Sequence, residues 1–320
     1  MWKHLWLAVS AFLFAESIMS ADTSATAALP AVFPPWQGET PPAAHPGVVF
    51  TVPEVDNMPD FHGNPATAEF VVFAGGNYFF ALEELVDAFE RQKPELRGRI
   101  FYETLPPGVI VKQLQDHNTI TVGNLTLSIQ PDVVQAGEKR IAELIEQGVL
   151  QGPPVRFIKN RLAIMVKKGN LKDIRSLEDL GKPGVRLANP DPETEGISEQ
   201  IKAALRQAGG EDLVREIYDT KVKKGDAFLT EIHHRQTPLW IMQGKVDAGV
   251  TWISEPRYQM MIGHPIDFVP IPPKHNREGI QAAAIAKNAR NPGAAKDWLA
   301  FLRSDEAESI LEKYSMARPR

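Results

Sequence analysis

The sequence predicts an α/β fold with doubly wound parallel sheets, and its length predicts two lobes. Three strand–turn–helix units follow one another early in the ordered part of the chain, which is typical of a doubly wound parallel sheet. The chain has 320 residues, which is long for one compact core and suits two lobes. Hydrophobic residues make up 43% and charged residues 23% of the chain, as in ordinary globular proteins.

The first of these units begins with a continuous apolar run, FVVFA, at residues 70–74. Such a run, ended by Gly75 and Gly76, predicts a strand that is buried on both faces. The strand and helix of the three units are predicted at residues 70–74 and 78–91, 99–103 and 109–116, and 131–135 and 138–147.

The second half of the sequence predicts the same kinds of element. Strands are predicted at residues 161–166, 185–188, 247–252, 266–271 and 280–286, and helices from residue 176 and at 197–208, 237–243, 291–302 and 305–314. Gly209 and Gly210 should end the helix before them, as glycines often do. Thr237 should cap a helix whose first position is Pro238.

The N-terminus predicts an exported protein. A short positive start, an apolar stretch at residues 5–15 and small residues before position 22 together predict a secretory signal peptide over residues 1–21. The apolar stretch is about half of the ~20 residues that span a bilayer, and an uncleaved membrane anchor is the alternative. Residues 22–67 are rich in Ala and Pro and predict a semi-rigid, largely irregular leader.

Composition and missing motifs argue against several functions. The net charge is −5 and long basic runs are lacking, so a nucleic-acid partner is not expected. The sequence has no cysteine, which removes disulfides, thiolate metal sites and a cysteine nucleophile. It also lacks a Gly-x-Ser-x-Gly elbow and a P-loop, so we predict no enzyme and no cofactor. Glu193 and Glu195 as an acid/base pair are the enzymatic alternative.

Several segments in a fixed order resemble the type II periplasmic solute-binding proteins, most closely the molybdate/tungstate-binding group. The similar segments are FVVFAGGN at residues 70–77, NRLAIMVKKGN at 160–170, SLEDL at 176–180, KPGVRLA at 182–188, QGKVDAGV at 243–250 and AKNARNPGAA at 286–295. The resemblance extends from about residue 69 to the C-terminus.

The resemblance implies a type II periplasmic binding protein fold, in which two lobes enclose a ligand. Lobe 1 would comprise residues 68–157 and 268–320, and lobe 2 residues 158–267. The implied protein is a periplasmic monomer that captures a small solute by closure of its lobes and delivers it to an ABC permease. A ligand-presenting subunit of a periplasmic sensor system is an alternative with the same fold.

The resemblance also places the ligand at the turns that follow the strands, where backbone N–H groups and neutral side chains would donate to an oxyanion. The HHRQTP segment at residues 233–238 adds imidazole and amide groups that could donate as well. The predicted ligand-binding residues are Gly76, Asn77, Pro107, Gly108, Gln135, Thr194, Glu195, Gly196, His233, His234, Gln236 and Trp252.

The sequence departs from the molybdate-binding pattern at some of these turns. The expected serines are absent from the first two turns, and Trp252 stands where that group often has a tyrosine. Glu193 and Glu195 would add negative charge near the cleft. These departures leave both an oxyanion and a larger or less negative ligand open. The alternative for the turn residues is that they serve only as helix caps. We predict no metal site because adjacent histidines seldom ligate one ion.

Overall fold

The computed structural model describes residues 60–122, 125–193, 195–230 and 236–319. The predicted signal peptide and most of the predicted leader lie outside these residues. The strands are β1 (Asp60–His62), β2 (Phe70–Gly75), β3 (Ile100–Leu105), β4 (Thr119–Val122), β5 (Leu125–Ser128), β6 (Val133–Gly137), β7 (Leu150–Lys167), β8 (Leu187–Pro190), β9 (Ala227–Thr230), β10 (Ala248–Trp252), β11 (Ile266–Pro270) and β12 (Glu278–Ala286). The α-helices are α1 (Phe79–Gln92), α2 (Pro107–Gln115), α3 (Glu138–Glu146), α4 (Ile197–Arg215), α5 (Lys221–Lys224), α6 (Gln236–Met242), α7 (Ser254–Met261), α8 (Pro292–Phe301) and α9 (Asp305–Glu312).

A ten-stranded sheet organises the protein, in the order β1-β3-β2-β6-β12-β7-β10-β8-β9, with β11 also paired to β7. The 18-residue β7 belongs to both ends of this sheet, because its first part pairs with β12 and its last part lies between β10 and β11. We call the part around β1, β3, β2, β6, β12 and the start of β7 lobe 1. The part around the end of β7, β10, β11, β8 and β9 is lobe 2. The predicted two-lobed α/β fold is confirmed.

Strand β2 shows why lobe 1 needs two layers of helices. All of its residues are buried, and it lies parallel to β3 on one side and β6 on the other. Phe70 and Val72 pack into the apolar cluster on one face, whereas Val71 and Phe73 pack into the cluster on the opposite face. The prediction of a strand buried on both faces is confirmed.

Lobe 2 repeats this arrangement on a smaller scale. Leu162, Ile164 and Val166 of β7 pack on one face of the sheet, and Met165 packs on the other. Strand β8 is parallel to both β9 and β10. Both lobes therefore present the carboxyl ends of parallel strands, which is where open α/β sheets bind ligands.

One local prediction is confirmed and two need correction. Helix α4 is interrupted at Gly209 and Gly210, which have non-helical geometry with φ of Gly210 at 72°, so the predicted helix end there is confirmed, and a second helical segment then runs to Arg215. The segment after residue 176 forms only a turn of 3-10 helix, Glu178–Gly181. Helix α6 begins at Gln236, so Thr237 lies inside the helix and Pro238 is its third residue. Proline is tolerated there because the first turn has free N–H groups anyway.

Six strands and helices were not predicted from the sequence. They are β1, the strands β4 and β5, which form an antiparallel hairpin, the short edge strand β9, and the helices α5 and α7. Helix α7 follows β10 of lobe 2, yet its Tyr258 stacks on Phe80 of α1 in lobe 1, with ring centroids 4.8 Å apart. This helix therefore contacts both lobes.

Asparagine side chains tie the crossing segments together where the chain passes between the lobes. The Asn276 amide donates to the carbonyl oxygens of Leu162 and Ile271, and its Oδ1 accepts from the N–H of Leu162 at 2.9 Å. Asn160 donates to the Ser254 hydroxyl at 2.8 Å. Within the described ranges, no helix has the length and apolar character to cross a membrane.

Candidate functional site

The three predicted turns of lobe 1 lie together at the carboxyl ends of its parallel strands. A Cβ atom built on Gly75, at the end of β2, would lie 3.6 Å from the Gln135 carbonyl oxygen and 3.8 Å from Pro107 Cγ. Gly76 and Asn77 continue from Gly75 as a turn of 3-10 helix, Gly76–Tyr78. Pro107 and Gly108 open α2. The structure thus brings the lobe 1 members of the predicted site into one region.

Gln135 is a polar side chain of this region that is buried and held by a hydrogen bond. It is completely buried on β6, and its Oε1 accepts a hydrogen bond of 2.7 Å from the Tyr78 hydroxyl. Its Nε2 is buried as well, and no hydrogen-bond partner is found for it among the described residues. Burial raises the pKa of Tyr78 well above its usual value, so this phenol keeps its proton.

In lobe 2, the predicted site residue Glu195 precedes α4 and is 5% exposed. Its carboxylate accepts a hydrogen bond from the buried Thr230 hydroxyl at the end of β9. Its backbone N–H donates to the Asp191 carbonyl oxygen at 2.8 Å. Gly196, the next residue, is exposed. Glu195 therefore links the loop after β8 to the carboxyl end of β9.

Tyr218, a partly buried tyrosine, lies near Glu195 in this part of lobe 2. Burial, with smaller contributions from the negative charges of Glu195 and Glu199, raises the pKa of Tyr218. Its hydroxyl is buried and has no hydrogen-bond partner in the described ranges. Tyr218 lies in a turn of π-helix, Glu216–Thr220, whose Ile217 carbonyl oxygen accepts a 3.0 Å hydrogen bond from Asn189.

Trp252 ends β10 and lies against the segment that crosses between the lobes. A Cβ atom on Gly279 of β12 would come within 2.3 Å of its ring, so only a glycine fits there. The indole is 4% exposed and belongs to the apolar cluster of lobe 2. Its Nε1 has no hydrogen-bond partner among the described residues. The tryptophan thus combines a packed ring with an unused donor.

Gln236 and Thr237 occupy the first turn of α6, and both are buried. The Thr237 hydroxyl has no hydrogen-bond partner in the part of the chain that the structure describes. Thr237 Cγ2 approaches β10 so closely that a Cβ atom on Gly249 would lie 2.6 Å from it. This threonine is therefore fixed against the strand that ends at Trp252.

Three of the residues described above share one feature, which is a buried hydrogen-bonding group without a partner among the described residues. Gln135 Nε2, Thr237 Oγ1 and Trp252 Nε1 all lack a partner within the described ranges, and each can donate a hydrogen bond. A buried group in this state costs about 1–3 kcal/mol. Such a cost calls for an explanation by a ligand, a water or stored strain. Gln135 and Trp252 lie near the carboxyl ends of their strands, where a ligand is expected.

Three of the predicted ligand-binding residues, Thr194, His233 and His234, lie outside the described residues. The sequence reasoning named Gln135, Gln236 and Trp252 but missed Tyr78 as the partner of Gln135. Tyr78 is placed by the 3-10 turn before α1, and sequence periodicity could not distinguish this turn from the helix. Across the described ranges, no group of three or more His, Asp or Glu side chains is arranged to hold a metal ion.

The fold and the strand ends define a two-lobed solute-binding protein of the type II periplasmic class. Residues 70–317 match the family described as bacterial extracellular solute-binding protein. The chain belongs to that family, and the sequence-based recognition is confirmed.

Proteins named for oxyanions are among those similar to this chain. The chain is 24% identical over 214 residues to the molybdate-binding protein ModA of Mycobacterium tuberculosis. The aligned residues cover 67% of this chain and 76% of that protein. It is 25% identical over 198 residues to a sulfate-binding protein of Synechococcus elongatus, covering 59% of this chain and 55% of the relative.

Solved structures show the same fold. The periplasmic molybdate-binding protein of Azotobacter vinelandii superposes with a TM-score of 0.64 at 18% identity, over 79% of this chain and 100% of the other. The sulfate-binding protein SubI of Mycobacterium tuberculosis superposes with a TM-score of 0.65 at 16% identity, over 78% of this chain and 86% of the other.

Proposed function

We propose that this chain captures a small oxyanion between its lobes in the periplasm and delivers it to the permease of an ABC-type importer. The observation that carries the proposal is the set of buried donors without partners: Gln135 Nε2 in lobe 1, and Thr237 Oγ1 and Trp252 Nε1 in lobe 2. An oxyanion bound between the lobes would accept hydrogen bonds from both sides.

The chemistry of these donors suits an anion that is held without a counter-charge. All three groups are neutral, and neutral donors can coordinate a buried anion without the cost of desolvating a charged pair. The relatives named for molybdate and sulfate support a tetrahedral oxyanion as the ligand. We therefore place molybdate, tungstate and sulfate first among the candidates.

Lobe closure is the proposed means of capture. The boundaries that we propose remain residues 68–157 with 268–320 for lobe 1, and 158–267 for lobe 2. The chain crosses between them at β7 and before β12, where Asn160 and Asn276 make side-chain hydrogen bonds. Closure about such crossing segments is the hinge motion of periplasmic binding proteins.

The binding test uses the mature chain from residue 22, with molybdate, tungstate and sulfate as probes and chloride at equal ionic strength as the control. We expect a saturable thermal shift and a calorimetric signal with at least one probe. A ligand at a hundredfold excess over its Kd stabilises the native state by about 2.7 kcal/mol, so binding is easy to detect. Absence of a signal with every tetrahedral oxyanion at millimolar concentration would refute the proposal.

A matched variant checks that binding uses the proposed donors. Thr237→Val replaces the buried hydroxyl by a methyl group of similar size, so it should retain the fold and weaken the bound probe about tenfold. Ser304→Ala, which removes the N-cap of α9, is the control because it lowers stability without touching the proposed site. Import is measured separately, as uptake of the bound oxyanion by cells with and without the chain.

A further inference from the structure

The contact between Tyr78 and Gln135 has a consequence for which atom faces a ligand. The Tyr78 hydroxyl lies 2.7 Å from Gln135 Oε1, and the two residues are 1% and 0% exposed. A glutamine amide carries a donor and an acceptor at its end, so a neighbour that pairs with one of them decides the direction of the other.

The protonation of Tyr78 favours one orientation of the amide. A hydroxyl that donates to Oε1 uses its proton, and only Gln135 Nε2 is then left without a partner among the described residues. In the reversed orientation the hydroxyl would accept from Nε2, which would leave both the phenol proton and Oε1 buried without partners. Each buried group without a partner costs about 1–3 kcal/mol, so the observed orientation is the stable one.

The tyrosine is itself held in place from the other side. Its ring meets the ring of Phe157 on β7 edge to face, with centroids 5.7 Å apart, and Phe157 is fully buried. Tyr78 also belongs to the apolar cluster of lobe 1. Its hydroxyl therefore cannot turn to another partner without disturbing the core.

We propose that Tyr78 is a positioning residue that fixes the Gln135 amide, so that Nε2 is a preorganised donor to an anionic oxygen of the ligand. This inference rests on the proposed function and adds a residue with no ligand contact of its own. A donor that is already oriented avoids the ordering cost of binding, and it favours a ligand atom that can only accept.

The first variant removes the positioning group alone. Tyr78→Phe keeps the ring and its contact with Phe157, but it frees the amide to adopt both orientations. We expect the affinity for the oxyanion probe bound by the wild type to fall about tenfold, equivalent to ~1.4 kcal/mol. Tyr102→Phe is the matched control, because it alters another buried tyrosine of lobe 1 and should leave the affinity unchanged.

The second variant keeps Tyr78 and changes the donor. Gln135→Glu still offers an oxygen to the Tyr78 hydroxyl but replaces Nε2 by an oxygen that repels an anion. Its affinity for the probe should fall more than a hundredfold. This variant tests the donor even if Tyr78→Phe fails to fold.

A double-mutant cycle separates positioning from a general structural effect. If Tyr78 acts through the amide, Tyr78→Phe should not change probe affinity further once Gln135 is replaced by methionine. An equal loss in both backgrounds, or no loss from Tyr78→Phe in the wild type, would overturn the inference while the proposed function stands. A wild-type chain that binds none of the oxyanions would instead refute the proposed function.

Discussion

Replacing Gly279 by alanine should force Trp252 out of its position. The new Cβ would lie 2.3, 2.8 and 2.9 Å from three ring atoms of Trp252, whereas carbon atoms normally approach to about 3.5–4.0 Å. The ring would therefore have to move by roughly 1 Å. It cannot do so freely, because Trp252 is 4% exposed and its backbone is paired with Leu162 of β7.

The expected cost follows from this overlap. Overpacking of a dense core costs about 1–3 kcal/mol, and for chains of this size class each kcal/mol lowers Tm by roughly 2–4 °C. Urea unfolding followed by tryptophan fluorescence measures the loss of unfolding free energy directly. Gly293→Ala is the control, because the nearest atom to its new Cβ is 3.7 Å away. That variant should be as stable as the wild type or slightly more so.

A second substitution tells a clash with the indole from a general backbone effect. Trp252→Phe gives a smaller ring, so Gly279→Ala should cost less in that background than in the wild type. If Gly279→Ala proves as stable as the wild type, the packing of Trp252 described above is wrong. The packing is likewise wrong if Gly279→Ala lowers stability by as much in the Trp252→Phe background as in the wild type.

Two further predictions concern buried carboxyl groups of lobe 1. Burial is the main cause that raises the pKa of Glu103 well above its usual value. Above about pH 4.3, the native state therefore binds more protons than the unfolded chain. The free energy of unfolding falls as pH rises for this reason. In urea unfolding, Glu103→Gln should therefore become more stable relative to the wild type between about pH 5 and pH 7. The control Glu178→Gln, at an exposed residue, should show no such gain. A stability difference between Glu103→Gln and the wild type that does not change with pH would contradict this. Asp132 accepts hydrogen bonds from the N–H groups of Val71 at 2.9 Å and Asn291 at 2.7 Å. Asp132→Ala should therefore lower the free energy of unfolding by about 2–4 kcal/mol. An unchanged midpoint in urea would count against these hydrogen bonds.

Elements that carry a strong local pattern were predictable from the sequence. The apolar run of β2 and the starts of the last two helices are examples. Those helices begin close to the predicted residues 291 and 305, where Asn291 accepts from the Ala294 N–H and Ser304 from the Ala307 N–H. Strand β1 and strand β9 were not predictable because they are only three and four residues long. Such short edge strands are specified by the neighbouring strand and not by their own pattern.

The grouping of the three predicted turns of lobe 1 was predictable from the sequence, but the side-chain contacts around them were not. The turns around Gly76, Pro107 and Gln135 could be expected from the rule that ligands bind at the carboxyl ends of strands. The Tyr78 contact depends on a tertiary distance that local sequence does not encode. The packing of Trp252 on Gly279 likewise joins two strands that are separate in the sequence. The sequence therefore predicted a role for the tryptophan but not its contact with the glycine.

The place of β12 in the sheet affects how the protein can be made. This late strand lies between β6 and β7, which precede it along the chain. Until residues 278–286 have been synthesised, β6 has an open edge in the middle of the future sheet. Open edges invite pairing with other chains. Lobe 1 therefore depends on the last part of the chain for protection from aggregation, whereas most strands of lobe 2 can pair before β12 exists.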